Sequence, residues 1–259
     1  RVGLAGVNSI NWARIVAQVT YYFAAAAALG APHRAVSFVV PTGNFGDIFA
    51  GYVARRMGLP IDRLVIASNE NDILPRTVAT GVYEMRDVVA TTSPSMDIQI
   101  SSNFERYLFE ASGRDAGLLR RSMASLQQSR RFALPAELHA ALGGDFAAAA
   151  ASEAEVASAI RHLRDQSGYL ADPHTATAIV AADKTLGGDT RAPQVILATA
   201  HPAKFPEAMG AIAGVHPELP ARLASLMRDA ERVSVVANDL AAIEGFVASR
   251  AAAARETVS

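Results

Sequence analysis

The sequence contains no cysteine among its 259 residues. This absence excludes disulfide bonds and thiolate-bound metal ions, and it is compatible with a reducing cytoplasm, where we expect the protein to be. The sequence also lacks any apolar run near the roughly 20 residues of a membrane-spanning helix, since even residues 21–31 form only a short, alanine-rich stretch. A formal net charge of −1 gives no electrostatic reason to expect nucleic acid or an anionic membrane as a partner.

Lysine is scarce as well, because the chain has only Lys184 and Lys204. Lys184 lies late in a predicted helix, in the sequence Ala-Asp-Lys-Thr-Leu, where a solvated surface cation is the simplest interpretation. Histidine pairs of the His-x-x-x-His type and clusters of carboxylates are missing too, so the sequence predicts no metal site. What the chain does have is 51% hydrophobic residues, enough for a substantial core in one large domain or two closely joined ones.

A strand, a tight turn and a helix start follow one another at residues 36–57. The apolar stretch 36–40 predicts a buried strand, after which Gly43 and Gly46 frame a turn before an amphipathic segment. Such a turn presents free backbone N–H groups to an anion. Gly43 and Gly46 allow the close backbone approach and positive φ that an anion site often needs, and Asn44 can add a side-chain donor. The glycine spacing is neither that of the dinucleotide fingerprint nor that of a Walker loop. Taken alone, the turn is equally well explained as an ordinary strand-to-helix connection.

The rest of the chain alternates between helical and strand patterns. Asn8 or Ser9 is placed to cap a helix that ends near Gly30, and a second helix spans 47–57. The remaining predicted elements are the strand 63–67, a central strand 194–198, a late edge strand 234–236 and a terminal helix 239–256. Strands separated by helices indicate βαβ units, and hence an α/β fold with an open, mainly parallel sheet flanked by helices.

Residues 104–155 have a different pattern, because their Ala, Leu, Arg and Glu content favours helices that Pro135 and the pair 143–144 divide. Ser152 and Glu155 predict a capping box at the start of a packing helix within 146–164. We therefore expect three parts. They are an α/β region at 1–103, a helical excursion at 104–168, and a return to the sheet with C-terminal helices at 169–259.

Five motifs in a fixed order carry a resemblance to a known family. They are Ser9-Ile10-Asn11-Trp12-Ala13-Arg14-Ile15, Pro41-Thr42-Gly43-Asn44-Phe45-Gly46-Asp47, Ser93-Pro94-Ser95-Met96-Asp97-Ile98 with Ser101-Ser102-Asn103-Phe104-Glu105-Arg106, Asp172-Pro173-His174-Thr175-Ala176, and Ala198-Thr199-Ala200-His201-Pro202-Ala203-Lys204-Phe205. Together they make nearly the whole chain resemble the C-terminal part of threonine synthase. The resemblance implies a fold-type II enzyme with pyridoxal 5′-phosphate (PLP) as cofactor, which converts O-phospho-L-homoserine and water to L-threonine and phosphate.

The resemblance also implies cofactor-binding residues. The cofactor phosphate is expected on the backbone of Gly43, Asn44, Phe45, Gly46 and Asp47. A carboxylate would repel this anion, so we expect the Asp47 side chain to cap the following helix instead. Thr199 is expected at the pyridine nitrogen, where a neutral hydroxyl can donate to an unprotonated ring.

Other polar residues keep two interpretations. Ser9, Asn11 and Arg14 are candidates for binding the substrate phosphate, since arginine suits phosphate geometry, but Ser9 and Asn11 equally suit helix capping. His174 and His201 are candidates for an acid or a base, although turn residues that bond to nearby backbone are the simpler interpretation.

The chain departs from the family at the lysine that holds the cofactor. The family places this residue in a Phe-Lys-Asp context before the Ser-Ile-Asn-Trp motif, and neither Lys184 nor Lys204 has that context. We therefore expect the catalytic lysine on an N-terminal domain outside this sequence, no catalytic residue within it, and no activity of this part alone. Two alternatives stay open: another fold-type II lyase, such as a dehydratase or phospholyase, and a lysine-less regulatory paralogue that binds a phosphorylated ligand.

Overall fold

The chain forms two compact units. The computed structural model describes residue 6, residues 8–189 and residues 191–256, without the side chains of 252–256. One unit spans residues 8–217, and the described part of the other consists of residues 6 and 218–256. Within these described ranges, no helix is both long and apolar enough to cross a membrane.

A parallel sheet forms the centre of the larger unit. Its strands, in spatial order, are β5 (Ala147–Ala150), β2 (Ile61–Ser68), β1 (Val36–Pro41) and β6 (Gln194–Ile196). Every residue of β1 is buried, as expected for a parallel strand that is covered on both faces. The predicted α/β fold with an open, mainly parallel sheet is therefore confirmed. A separate antiparallel pair consists of β3 (Val82–Glu84) and β4 (Arg131–Ala133).

Helices cover both faces of this sheet. In chain order they are α1 (Trp12–Ala28), α2 (Gly46–Arg56), α3 (Ile73–Thr80), α4 (Phe104–Ala111), α5 (Ala116–Ser129), α6 (Ala136–Asp145), α7 (Glu153–Ser167), α8 (Pro173–Leu186) and α9 (Pro206–Ala213), with α10 (Leu240–Glu256) in the smaller unit. Successive residues of a strand point to opposite faces. Phe38 and Val40 of β1 therefore join the main core with α1 and α2, whereas Val39 packs with Ala178 and Ala181 of α8.

Helix α1 begins later than predicted. Its N-cap is Asn11, whose side-chain Oδ1 accepts a hydrogen bond from the backbone N–H of Ala13 at 2.9 Å. Asn8, a predicted cap, instead accepts a bond from the N–H of Ile10 at 3.1 Å and so closes the turn before the helix. Short polar side chains suit both positions, and only the direction of the backbone decides which one caps.

The segment 104–168 contains strands as well as helices, so the prediction of a helical excursion needs correction. It contains β4 and β5, and β5 pairs with β2 at the edge of the main sheet. Alanine favours helices, but this preference is weak and four residues are too few to outweigh pairing with a strand edge. The capping box of Ser152 and Glu155 is confirmed at the start of α7. The three-part division at 103 and 168 stays a prediction.

The strand predicted at 194–198 is shorter and lies elsewhere in the sheet. It covers three residues, and among the described strands it pairs with β1 alone, so it is an edge strand and not a central one. It still delivers Thr199 beyond its carboxyl end, as predicted.

The smaller unit has little regular structure before its last helix. The predicted edge strand at 234–236 is wrong, because these residues form no strand and Val235 is 96% exposed. A strand needs a neighbour to accept its hydrogen bonds, and the apolar pattern alone cannot supply one. The predicted terminal helix is confirmed as α10.

Candidate functional site

A cavity of about 690 Å³ opens at the carboxyl ends of β1 and β6, where parallel sheets of α/β proteins place their ligands. Its walls are the turn 41–48, one face of α1 with Ser9 before it, residues 95–96, His174, and the segment 197–200 together with Lys204. Each of the five sequence motifs contributes to this lining. Motifs that are up to 190 residues apart in the chain therefore converge on one place because the topology of the sheet brings them there.

The turn after β1 carries the predicted anion-binding groups. No described residue accepts a hydrogen bond from the backbone N–H groups of residues 44–47, which precede and open α2. The residue of this turn with positive φ is Phe45, at 63°, so the positive φ that glycine allows is not used at Gly43 or Gly46. Phe45 holds this conformation because its side chain is 1% exposed and packs against Phe104 and Phe146, with ring centroids at 5.2 and 5.5 Å.

The carbonyl groups of the same turn are occupied. Ser101 donates its hydroxyl to the Gly43 carbonyl at 2.7 Å, and both the backbone N–H and the side-chain amide of Asn103 donate to the Asn44 carbonyl at 3.0 Å. The Oδ1 atom of Asn44 accepts a bond from Ser102 at 3.2 Å, which leaves its amide hydrogens for the cavity. The carbonyl oxygens of the turn thus bond within the protein, and its backbone N–H groups and the Asn44 amide remain available to a ligand.

Gly43 is required for a reason other than a positive φ. A Cβ atom there would lie 2.7 Å from the carbonyl oxygen of Ser95 and 3.4 Å from the Cα of Met96. Both are backbone atoms of a neighbouring segment, so a side chain at position 43 would force two loops apart.

A buried polar network holds that neighbouring segment in place. Asn69 is fully buried, and its amide donates to Asp97 at 2.8 Å and to the hydroxyl of Ser93 at 2.9 Å. The N–H of Thr91 donates to the second carboxylate oxygen of Asp97 at 2.9 Å. The segment 93–97 therefore cannot easily move away from Gly43.

Asp47 does not cap α2, contrary to the sequence expectation. The N-cap position is Phe45, and the Asp47 carboxylate instead accepts a bond from the hydroxyl of Tyr22 at 3.2 Å. Burial raises the pKa of Asp47 to about 6, and the bond from Tyr22 and the charge of Arg14 offset this rise only in part. A proton on Asp47 would remove its repulsion toward an anion at the turn.

Ser9 and Arg14 line the cavity, whereas Asn11 does not. The side chain of Asn11 caps α1, which was the alternative reading of this residue. The carbonyl of Ser9 accepts a bond from the Asn103 amide at 2.8 Å, so the same side chain fixes both Ser9 and the turn 44–47.

The α1 face contains lining residues that the sequence reasoning missed. Ala17, Gln18 and Tyr21 reach the cavity together with Arg14. They follow Arg14 at three, four and seven residues, which is the spacing of one helix face. This spacing from Arg14 is visible in the sequence and would have identified the three residues.

Thr199 is exposed on the cavity wall, and no described residue bonds to its hydroxyl. Lys204 lines the same cavity, while Lys184 lies outside it and pairs with Glu155 at 2.7 Å, as expected of a surface cation. His201 accepts a bond from the N–H of Ala203 at 3.2 Å and does not line the cavity, so its role is in the turn. Within the described residues, no group of three or more His, Asp or Glu is placed to hold a metal ion.

Comparison with known proteins gives a consistent match. A family model described as "Threonine synthase, C-terminal" matches residues 175–247. The threonine synthase of Pseudomonas aeruginosa is 46% identical over 245 residues, which cover 94% of this chain and 52% of that protein. The chain thus spans about half the length of the curated relatives it matches.

Solved structures agree in both fold and sequence. The crystal structure of a PLP-bound threonine synthase from Brucella melitensis superposes with a TM-score of 0.89 at 56% identity, covering 94% of this chain and 52% of that one. The yeast threonine synthase gives a TM-score of 0.80 at 38% identity, covering 87% and 49%. The predicted architecture of a fold-type II large domain is confirmed by these superpositions. The chain belongs to the threonine synthase family and matches the C-terminal part of its members.

Proposed function

We propose that this chain is the C-terminal part of a PLP-dependent lyase that converts O-phospho-L-homoserine and water to L-threonine and phosphate. The observation that carries the proposal is the turn 44–47, whose unpaired N–H groups line a cavity built by all five family motifs. The names of the relatives support the reaction, and the PLP-bound neighbour supports the cofactor.

The turn suits a phosphate monoester. Several backbone N–H groups at the start of a helix, with the positive end of its dipole, form a site for an oxyanion. The Asn44 amide adds a side-chain donor, and Gly43, Phe45 and Gly46 contribute backbone only. Asp47 contributes its N–H group, while its carboxyl stays bonded to Tyr22.

Thr199 is our candidate for the pyridine nitrogen. When bound, the cofactor supplies an electron sink that acidifies the C–H bonds of an attached amino acid. The Thr199 hydroxyl would donate to the ring nitrogen and leave it unprotonated, in contrast to an aspartate partner. The position after β6 and the free hydroxyl support this role.

Ser9 and Arg14 are our candidates for the substrate phosphate. Both line the cavity beside the turn, and a guanidinium matches phosphate geometry with two parallel hydrogen bonds. Asn11 supports the site indirectly, since its cap sets where α1 begins and hence where Arg14 lies.

We further propose that an N-terminal part of the same polypeptide supplies the lysine that attaches the cofactor. Lys184 is paired outside the cavity, Lys204 belongs to a C-terminal motif of the family, and the relatives are about twice as long as this chain. On this proposal the chain alone is inactive, and the N-terminal part is its essential partner. The cytoplasm stays our proposed location.

The test uses the full-length protein, meaning this chain joined to that N-terminal part. Borohydride reduction in the presence of PLP, followed by peptide mapping, should label one lysine outside the present sequence and leave Lys184 and Lys204 unmodified. Incubation with O-phospho-L-homoserine should release threonine and phosphate in equal amounts. Labelling of Lys184 or Lys204 would contradict the lysine assignment.

The same incubation separates the alternatives. Release of phosphate with a 2-oxo acid in place of threonine would indicate a different lyase of the same fold. A protein that binds a phosphorylated ligand but turns over no substrate would indicate the regulatory paralogue. Either result would refute the proposed reaction.

A further inference from the structure

His174 is held at the start of α8 by a buried carboxylate. Asp172 is the N-cap, and its Oδ1 atom accepts a bond from the backbone N–H of His174 at 2.9 Å and lies 3.1 Å from the ring Nδ1. The hydroxyl of Thr175 donates to the other carboxylate oxygen. Burial alone would raise the pKa of Asp172, but the bonds from His174 and Thr175 outweigh it and hold the pKa below its usual range. An ionised Asp172 keeps a proton on Nδ1, so the ring presents Nε2 on its far side.

The Nε2 atom of His174 is the unsatisfied end of this arrangement. The residue is only 4% exposed, and Nε2 is buried with no hydrogen-bond partner among the described residues. Buried polar atoms in native proteins nearly always have a partner. His174 lines the cavity, so the cavity is the place from which a partner can come.

The ammonium group of Lys204 contacts the same aromatic ring as His174. Its Nζ atom lies 5.7 Å from the ring centroid of Phe205, and no described residue forms an ion pair or a hydrogen bond with it. The same Phe205 ring lies 5.0 Å from the ring of His174.

The charges that line the cavity favour an anion. Arg14 and Lys204 are cationic, and among the described residues Asp47 is the one carboxylate in the lining. The turn 44–47 provides for one oxyanion, and Arg14 lies close enough to Asp47 to lower its pKa. His174 and Lys204 remain without an assigned ligand.

We propose that His174 and Lys204 bind a second oxyanion in the cavity, apart from the one at the turn 44–47. This inference rests on the proposed function for its substrate, which has two groups with the required chemistry. They are the carboxylate, to which no other side chain is assigned, and the phosphate, which His174 and Lys204 would then share with Ser9 and Arg14. Both side chains would donate charge-assisted hydrogen bonds, His174 as an imidazolium that carries a proton on Nε2 as well as on the Nδ1 held by Asp172.

The test measures binding of two probes to the PLP-loaded full-length protein, in which the turn is already occupied. Inorganic phosphate represents the leaving group, and L-homoserine carries the carboxylate without a phosphate. His174→Asn keeps a short amide near Asp172 and removes Nε2, and Lys204→Met removes the charge at similar length. Lys184→Met and His201→Asn are matched controls outside the cavity.

Each cavity variant should lower the affinity for one of the probes about tenfold, as expected for the loss of one charge-assisted hydrogen bond. The affinities of the controls should stay within about twofold of the parent. Loss confined to phosphate assigns the site to the leaving group, and loss confined to L-homoserine assigns it to the carboxylate. Unchanged affinity for both probes in both folded variants overturns the proposal.

A second measurement needs no variant. The Cε1–H signal of His174 in an NMR spectrum, assigned through its contact with the Phe205 ring, should shift when the probe that binds is added. A signal that stays fixed while both probes saturate the protein contradicts the proposal. If PLP itself fails to bind, the proposed function fails. Phosphate titrations of the unloaded parent and of its His174→Asn and Lys204→Met variants then decide whether this oxyanion site exists, because the turn 44–47 is the same in all three proteins.

Discussion

The hydroxyl of Tyr22 donates a hydrogen bond to the backbone carbonyl of Asp47 at 2.7 Å and lies 3.2 Å from the carboxylate of the same residue. Tyr22 belongs to α1 and Asp47 to the first turn of α2, so this hydrogen bond joins the two helices at the turn 44–47. Burial, with the nearby charge of Asp47, raises the pKa of Tyr22 well above its usual value, which keeps the hydroxyl a donor at all physiological pH values.

Replacing Tyr22 with phenylalanine should destabilise the full-length protein and weaken cofactor binding. The change removes a buried hydrogen bond and leaves the Asp47 carbonyl without that donor, which costs about 1–3 kcal/mol of unfolding free energy. Urea unfolding and equilibrium dialysis against PLP measure the two effects. Tyr169→Phe is the matched control, because Tyr169 is 53% exposed and lies outside the cavity, so this variant should stay within about 0.5 kcal/mol of the parent. Equal unfolding free energies of the two variants would show that the Tyr22 hydrogen bond makes no net contribution to stability.

Asp47 should make stability depend on pH. Its pKa is raised to about 6 in the folded protein by burial and returns to about 4 on unfolding. The folded state therefore binds the proton more tightly, so the free energy of unfolding should fall as pH rises from about 4 through about 6.

The variant Asp47→Asn isolates this contribution. It cannot ionise, so the difference between its melting temperature and that of the parent should grow in its favour between pH 4 and pH 7. Other carboxyl groups titrate equally in both proteins and cancel in the difference. A difference in melting temperature that stays constant between pH 4 and pH 7 would exclude a raised pKa at Asp47.

Gly43 and Gly46 should respond differently to alanine. Gly43→Ala places a Cβ atom 2.7 Å from the Ser95 carbonyl, and the shift this forces should cost about 1–3 kcal/mol and reduce PLP affinity. In Gly46→Ala the nearest atom, the Nδ2 of Asn103, lies at 3.4 Å, so this variant should fold and bind nearly as the parent does. Equilibrium dialysis and thermal unfolding compare them. The reverse order of the two variants would mean that the Ser95 contact does not limit position 43.

Thr199→Val should separate a ring-nitrogen partner from a structural residue. Valine keeps the shape and strand preference of threonine and removes the hydroxyl. Loss of one hydrogen bond, about 0.5–1.5 kcal/mol, should lower PLP affinity about two- to tenfold and reduce turnover. The melting temperature of the cofactor-free protein should barely move, since no described residue bonds to that hydroxyl. A lower melting temperature with unchanged affinity and turnover would assign Thr199 a structural role only.

Local patterns predicted the elements that depend on local interactions. The buried run 36–40 became a strand, Ser152 and Glu155 closed a capping box three residues apart, and the helix of residues 240–256 formed as expected. Local pattern did not select the cap of α1, because Asn8, Ser9 and Asn11 all have suitable side chains and the structure places the cap at Asn11.

Errors occurred where a partner distant in the chain decides the outcome. Four alanines became the strand β5 because the edge of β2 lies beside them, and Val235 stayed exposed because no strand does. Asp47 bonds to a tyrosine 25 residues earlier and so cannot serve as a cap. Phe45 adopts a left-handed conformation because Phe104 and Phe146 surround its ring.

The sequence by itself determined the identity of the motifs, the strand-turn-helix at residues 36–56 and the family to which the chain belongs, since residue order and short-range spacing suffice for these. The tertiary structure alone decided that five motifs share one cavity and that, among the described residues, the carbonyl groups of the turn have hydrogen-bond partners while its N–H groups have none. It also decided that the described part of the chain provides a partner for one nitrogen of His174 and not for the other. The physical reason is that hydrogen bonding and burial depend on which distant residues meet, and a local pattern does not specify that.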